Sequence, residues 1–375
     1  MTGPAGANYW PTAEQQLILC AGFAGDRAAG QAWSELRRRL DFDTLDPASS
    51  RLLPLVHRNL QHLDLDDPIF DRCAGLHRYY WSRNQMLFHR GATALDALRA
   101  AGVDSMLLKG AALVSAYYGD AGLRAMEDLD LWVPAGAVGR AAAALEACGW
   151  RSRYRLTPAF LRVKHAAPFT DGGGHQLDLH WHVFEECCAP GDDGDLREAS
   201  VEIEFLGRPT RVLCPADQLL HACVHGARWA PEAAIRWIAD AVTILRKGDV
   251  DWSRVVEQAI RRRFVLRMSD ALGYLRAVMA APVPEGVVNA LAARPKDRFE
   301  RLERRLLARE HRLLGQLPSY WCHHLRACGG DLLAAARTFP RYLQYAWDLG
   351  TLGGLPRGAI RRTLKRLRGA GVETA

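Results

Sequence analysis

No CxxC pair occurs among the nine cysteines, which are scattered from Cys20 to Cys328, and the neighbours Cys187 and Cys188 are poorly placed to bridge each other. This argues against a disulfide framework and for reduced thiols in a cytoplasmic setting. No apolar run approaches the roughly 20 residues that a membrane-spanning helix requires. The opening MTGPAGANYW lacks a basic patch followed by an apolar stretch, so no signal peptide is expected. No segment is low in complexity and no repeat has a fixed period. What remains is 375 residues at 49% hydrophobic content, enough for two or three domains with real cores.

The net charge of +7 is unevenly spread. Residues 101–215 hold 11 Lys and Arg against 16 Asp and Glu, so the flanks carry +12 between them. Much of that excess lies in RPKDRFERLERRLLAREHR, from Arg294, and in RGAIRRTLKRLRG, from Arg357. The second stretch sets Ile360, Leu364 and Leu367 at helical spacing among six basic residues. It fits a solvated terminal helix better than a surface for RNA or membrane.

The pattern changes twice along the chain. Thr12 with Gln15 forms a capping box before QQLILCAGFA, and Leu76, Tyr80, Leu87, Ala94 and Leu98 share one helical face. VDSMLLKG (residues 103–110) reads as a buried strand entering a helix, AALVSAYYG as that helix, and Gly119 to Gly122 as a turn. DLDLWV is a strand, and GAVGRAAAALEACG a helix closed by Gly149. HAAPFTD, HQLDLHWHV and the hairpin VEIEFLG–RPTRVL supply further strands, and from Pro215 onward the pattern is helical again. The expectation is an α+β fold. It has an N-terminal helical region (1–100), a mixed-sheet domain (101–215) and a C-terminal helical domain with a basic tail (216–375).

Alternate side chains of a strand share a face. In DLDLWV, Leu129, Leu131 and Val133 point one way, and Asp128, Asp130 and Trp132 the other. In HQLDLHWHV, Leu177, Leu179, Trp181 and Val183 oppose Gln176, Asp178, His180 and His182. If the two strands are neighbours, three aspartates converge. Crowded carboxylates repel, and a divalent cation removes that penalty; an all-oxygen set suits Mg²⁺ or Mn²⁺. A solvated polar strand face has the same alternation, so spacing alone leaves both readings open.

LLKG, then Arg124, then DLDLWV, then LDLHW together resemble the uncharacterised nucleotidyltransferase family of the polymerase-β-like superfamily. The resemblance is close from Leu108 to Trp181 and looser through HACVHGARW and RWIADAVTIL. It implies a nucleotidyltransferase-type sheet domain in which Asp128 and Asp130 bind Mg²⁺ (or Mn²⁺) and triphosphate. Asp178 would complete a second metal site and help deprotonate an acceptor. It also implies an NTP substrate, ATP being the expected donor, with pyrophosphate released. The acceptor, a small molecule or peptide, is not specified, and nucleic acid is a less favoured partner.

Where the superfamily places a Gly followed by Gly or Ser, this chain has Lys109-Gly110-Ala111. Lys109 and Arg124 are therefore the expected replacements for the phosphate grip. His180 shares a face with Asp178, to orient it, to touch the nucleotide, or simply as a satisfied buried histidine. The looser resemblance favours a site role for His225 and Asp240, although Arg236 and Asp240 also read as an ordinary i,i+4 helix pair. Two Cys/His groups, His180, His182, Cys187 and Cys188, and Cys322, His323, His324 and Cys328, lack the spacing of a structural zinc site. The alternative to an enzyme is a catalytically inactive nucleotide- or partner-binding protein of the same fold.

Overall fold

The structure, a computed structural model, describes residues 10–63, 65–188, 191–227, 235–295, 297–307, 316–347 and 349–367. Residues 296 and 308–312 of the basic stretch from Arg294, and residues 368 and 369 of the tail stretch, lie outside them. The capping box is present: Thr12 Oγ1 accepts from the Gln15 amide while Gln15 Oε1 accepts from that of Thr12. It starts helix α1, Ala13–Phe23. A second N-cap, Asp67, starts α2, Pro68–Ala100, with Pro at its first position.

Seven strands form one mixed sheet: β1 Met106–Leu108, β2 Asp128–Trp132, β3 Arg151–Ser152, β4 Ala166–Thr170, β5 Gln176–His180, β6 Val201–Phe205 and β7 Arg208–Val212. Their spatial order is β3-β4-β5-β2-β1-β7-β6. The short pair partner β3 was not visible in the sequence. β5 ends at His180, earlier than the alternation in HQLDLHWHV suggests, because the amides of Trp181 and His182 turn to the carbonyl of His165.

Both faces of this sheet are covered. Leu129, Leu131, Leu177 and Leu179 are fully buried against the C-terminal half of α2 and against a helix at Val138–Ala147. Each such leucine contributes roughly 1.5–3 kcal/mol relative to exposure. The opposite face, with Met106, Leu108 and Trp132, packs under the helical flanks. Two of these matter here: α3, Pro215–Gly226, and α4, Arg236–Lys247. They cross closely because residue 226 is glycine; a Cβ there would lie 2.0 Å from Trp237 Cβ. The carboxylate face of the sheet is therefore roofed by helices, and it is not the solvated face that alternation alone also allowed. No helix among the described residues is long and apolar enough to cross a membrane.

Candidate active site

β2 and β5 are parallel neighbours in direct register, with Asp130 opposite Asp178 and Asp128 opposite Gln176. One oxygen each of Asp130 and Asp178 and one nitrogen of His180 lie within 4.8 Å of one another. Among the described residues this is the one group of three or more Asp, Glu, His or Cys close enough to hold an ion. Neither Cys/His cluster forms such a group. His182 instead places Nδ1 3.3 Å from Asp193.

Asp130 is 2% exposed. Lys109 Nζ lies 2.5 Å and His180 Nε2 2.8 Å from the same oxygen, Oδ1. Burial works to raise the Asp130 carboxyl, but Lys109 and His180 hold it well below the usual range. Asp128 shows the reverse. The charge of Asp130, and then burial, push it up to about 6. Burial likewise raises Asp178. Asp128 thus carries repulsion that one lysine does not cancel. This charge imbalance, with two hard carboxylates and an imidazole within reach of one point, fits a divalent cation.

Lys109 reaches Asp130 from an unusual backbone. Its φ is +45°, in the left-handed region that non-glycine residues rarely adopt, at the junction between β1 and a short helix, Lys109–Leu113. Burial alone would lower its ammonium, yet Asp130, Asp128 and Asp178 hold it above the ordinary value. Gly110 is next. A Cβ at this position would lie 2.4 Å from Met126 Sδ and 2.6 Å from Arg124 Nη1. The glycine read from the sequence as part of a phosphate loop is therefore also the gap through which Arg124 passes.

Arg124 and Asp240 are both buried and form a two-point pair, Nε to Oδ1 at 2.9 Å and Nη2 to Oδ2 at 3.0 Å. Tyr118 Oη adds 2.8 Å to Oδ1 of Asp240. Tyr118 comes from a π-type turn, Val114–Tyr118, closed by Gly119. Thus the close partner of Asp240 is Arg124, some 116 residues away, and the i,i+4 neighbour Arg236 bonds the carbonyl of Ala125 at 3.0 Å instead. Asn84 of α2 donates to the carbonyls of Ala121 (2.6 Å) and Arg124 (2.8 Å). Asn84 and Arg236 together pin the loop that carries Arg124. Nothing local marks Asn84, since a lone polar residue in a long helix reads as surface.

A cavity of about 240 Å³ joins these parts. Lys109, Gly110, Arg124, Asp128, Asp130 and Asp240 line it, together with the α3 face carrying Gln218, His221 and His225. Asp178, beside Asp130 in register, and His180 are not among the lining residues. His225 is exposed at the rim. His221 is 3% exposed; burial, with Lys109 and His180 nearby, pushes it down to about 3, so it is neutral. Arg236 also lines the cavity, as does Arg51, which was not anticipated as a site residue. Arg51 pairs with Glu127, a contact that only the fold creates.

Residues 48–280 match the family described as uncharacterised nucleotidyltransferase, which is well over half of the chain. The chain belongs to this family. Nucleotidyl transfer in general, and a nucleotide as substrate, come with that membership. Among solved structures the chain is similar to the antibiotic-resistance factor ANT(2'')-Ia, at 18% identity and a TM-score of 0.35, covering 48% of this chain and 95% of that one. It is also similar to an antigenic nucleotidyltransferase-like protein from Paracoccidioides brasiliensis, at 15% identity and a TM-score of 0.31, covering 53% and 96%. Among curated proteins none matches. Within the nucleotidyltransferase family match fall both arms of the site, from Arg51 to Asp240.

Proposed function

We propose that this chain moves a nucleoside monophosphate from an NTP, with ATP as the donor, to an acceptor, releasing pyrophosphate. The observation that carries this is the Asp130–Asp178–His180 group, set on adjacent strands in register, with its Asp130 lining a cavity that also bears Lys109, Arg124, Arg236 and Arg51. Asp130 and Asp178, with Asp128 alongside, would hold Mg²⁺ or Mn²⁺, and His180 would orient Asp130 through Nε2. The bound ion would supply charge stabilisation at the phosphates and a lowered pKa at the acceptor oxygen.

The remaining roles belong to the chain itself. Lys109 balances Asp130 in the ligand-free protein, and a triphosphate would offer it a second anionic partner. Asp178 takes the acceptor proton. The acceptor oxygen then bonds to the α-phosphorus as the bond to the bridging oxygen breaks, and pyrophosphate leaves with that electron pair. Asp240 has its oxygens committed to Arg124 and Tyr118, so its role is to aim Arg124 rather than to touch the nucleotide.

A second reading, nucleotide binding without turnover, is favoured by one feature: Lys109 already neutralises Asp130 at 2.5 Å. Thermal shifts with four NTPs, with and without Mg²⁺, on wild type and Asp130→Ala test the site. A Mg²⁺-dependent shift confined to wild type supports it, and equal shifts in both proteins reject it. Pyrophosphate release on adding acceptor candidates separates turnover from binding.

A further inference from the structure

Helix α3 turns one face to the cavity, with Gln218, His221, Ala222 and His225 at successive i, i+3, i+4 and i+7 positions. Gln218 is 0% exposed, and neither its Nε2 nor its Oε1 has a hydrogen-bond partner among the described residues. A buried carboxamide with both ends unmade is costly, and native interiors seldom keep one without a purpose. Here it lies on the wall of the cavity that holds the proposed site. The machinery of Asp130, Lys109 and Arg124 leaves it without a role.

The cavity has two characters. Its lining includes the cations Lys109, Arg124 and Arg236 and also the apolar Ile235, Ala222 and Leu113, along with Gln218. A ligand matching both needs an anionic chain joined to a flat, uncharged head with a donor and an acceptor side by side. A nucleoside triphosphate has that form, and a glutamine amide meets a base edge with two parallel hydrogen bonds. We propose that Gln218 reads the base of the incoming nucleotide, making this helix face the element that sets base preference. The proposal rests on the nucleotidyltransferase reading above and adds the residue that selects the NTP.

The test uses the full chain with Mg²⁺ and measures dissociation constants for ATP, GTP, CTP, UTP and inorganic triphosphate, which has no base. In wild type, one NTP should bind about 10-fold more tightly than the others and than triphosphate, the scale of one well-made bidentate base contact. In Gln218→Met the four NTPs should converge to within about 3-fold while triphosphate affinity stays unchanged. Gln218→Asn, which keeps an amide but withdraws it by one methylene, should lose the preference too, and serves if the methionine variant does not fold. On wild type alone, an analogue of the preferred NTP stripped of its exocyclic base group should bind about 10-fold more weakly.

A spread of NTP affinities that survives in the folded variant overturns the proposal, as does wild type that binds all four NTPs alike. A change confined to the acceptor KM would assign Gln218 to the acceptor instead and overturn it as well. If wild type binds no NTP and no triphosphate, the nucleotidyltransferase reading itself has failed, a result distinct from binding without base preference.

Discussion

Two buried aspartates face the same cavity, and their surroundings differ in kind. Asp240 is saturated: a guanidinium grips both of its oxygens and Tyr118 adds a third bond. Asp130 has Lys109 and His180 on a single oxygen, with Asp128 and Asp178 pressing from beside it. A saturated buried ion pair holds structure in place, since removing either partner strands a charge. An unbalanced carboxylate group retains an appetite for positive charge. Asp240 has the surroundings of a scaffold residue, and Asp130 those expected of the proposed metal ligand.

The largest expected effect breaks the comparison at its chemical end. Asp130→Ala should lower pyrophosphate release by about 10³-fold, the scale of about 4 kcal/mol of lost charge stabilisation. Turnover within tenfold of wild type would show that Asp130 is not a ligand. At the scaffold end, Asp240→Ala should cost about 3–5 kcal/mol of stability in urea unfolding because Arg124 is left buried and unpaired. A variant as stable as wild type would mean the pair holds nothing in place. Gly110→Ala comes next. Its methyl must displace Arg124 and Met126, costing about 1–3 kcal/mol and weakening triphosphate binding at the same time.

The pH dependence sharpens the acidic half. Asp128 is raised from 3.8 to about 6 in the folded chain. Its protonation therefore favours folding fully below pH 3.8, and that contribution is lost as pH rises through about 6. A bound cation prefers the ionised form, so Mg²⁺ or Mn²⁺ affinity should fall by up to roughly tenfold per unit as pH drops below about 6. Calorimetric affinities equal at pH 5 and 7.5 would remove Asp128 from the site. The smallest effect lies far away: Arg361→Ala, on the exposed side of a helix at Leu355–Leu367, should leave stability within about 0.5 kcal/mol and activity unchanged.

Much of this site is legible as pattern. Alternation in DLDLWV and HQLDLHWHV marks which residues share a face, and the KG, DxD and DxHW blocks carry the family resemblance in order. Other parts leave no local trace. Asp240 reads as the helix partner of Arg236, because i,i+4 spacing is the one neighbour relation a sequence displays. Asn84, Arg51 and Gln218 are invisible for the same reason: each acquires its meaning from groups tens or hundreds of residues away.

The amino-acid sequence by itself determined the alternating faces, the cap of α1, the hairpin β6–β7 and the family, because these depend on periods and contacts within a few residues. The tertiary structure alone decided that β2 and β5 are parallel neighbours, that their acidic face lies under α3 and α4, and that Arg124 answers Asp240. Burial is what separates the two. A carboxylate pattern in a strand is the same string whether it faces water or a cavity, and only the packing of distant helices sets the dielectric around it.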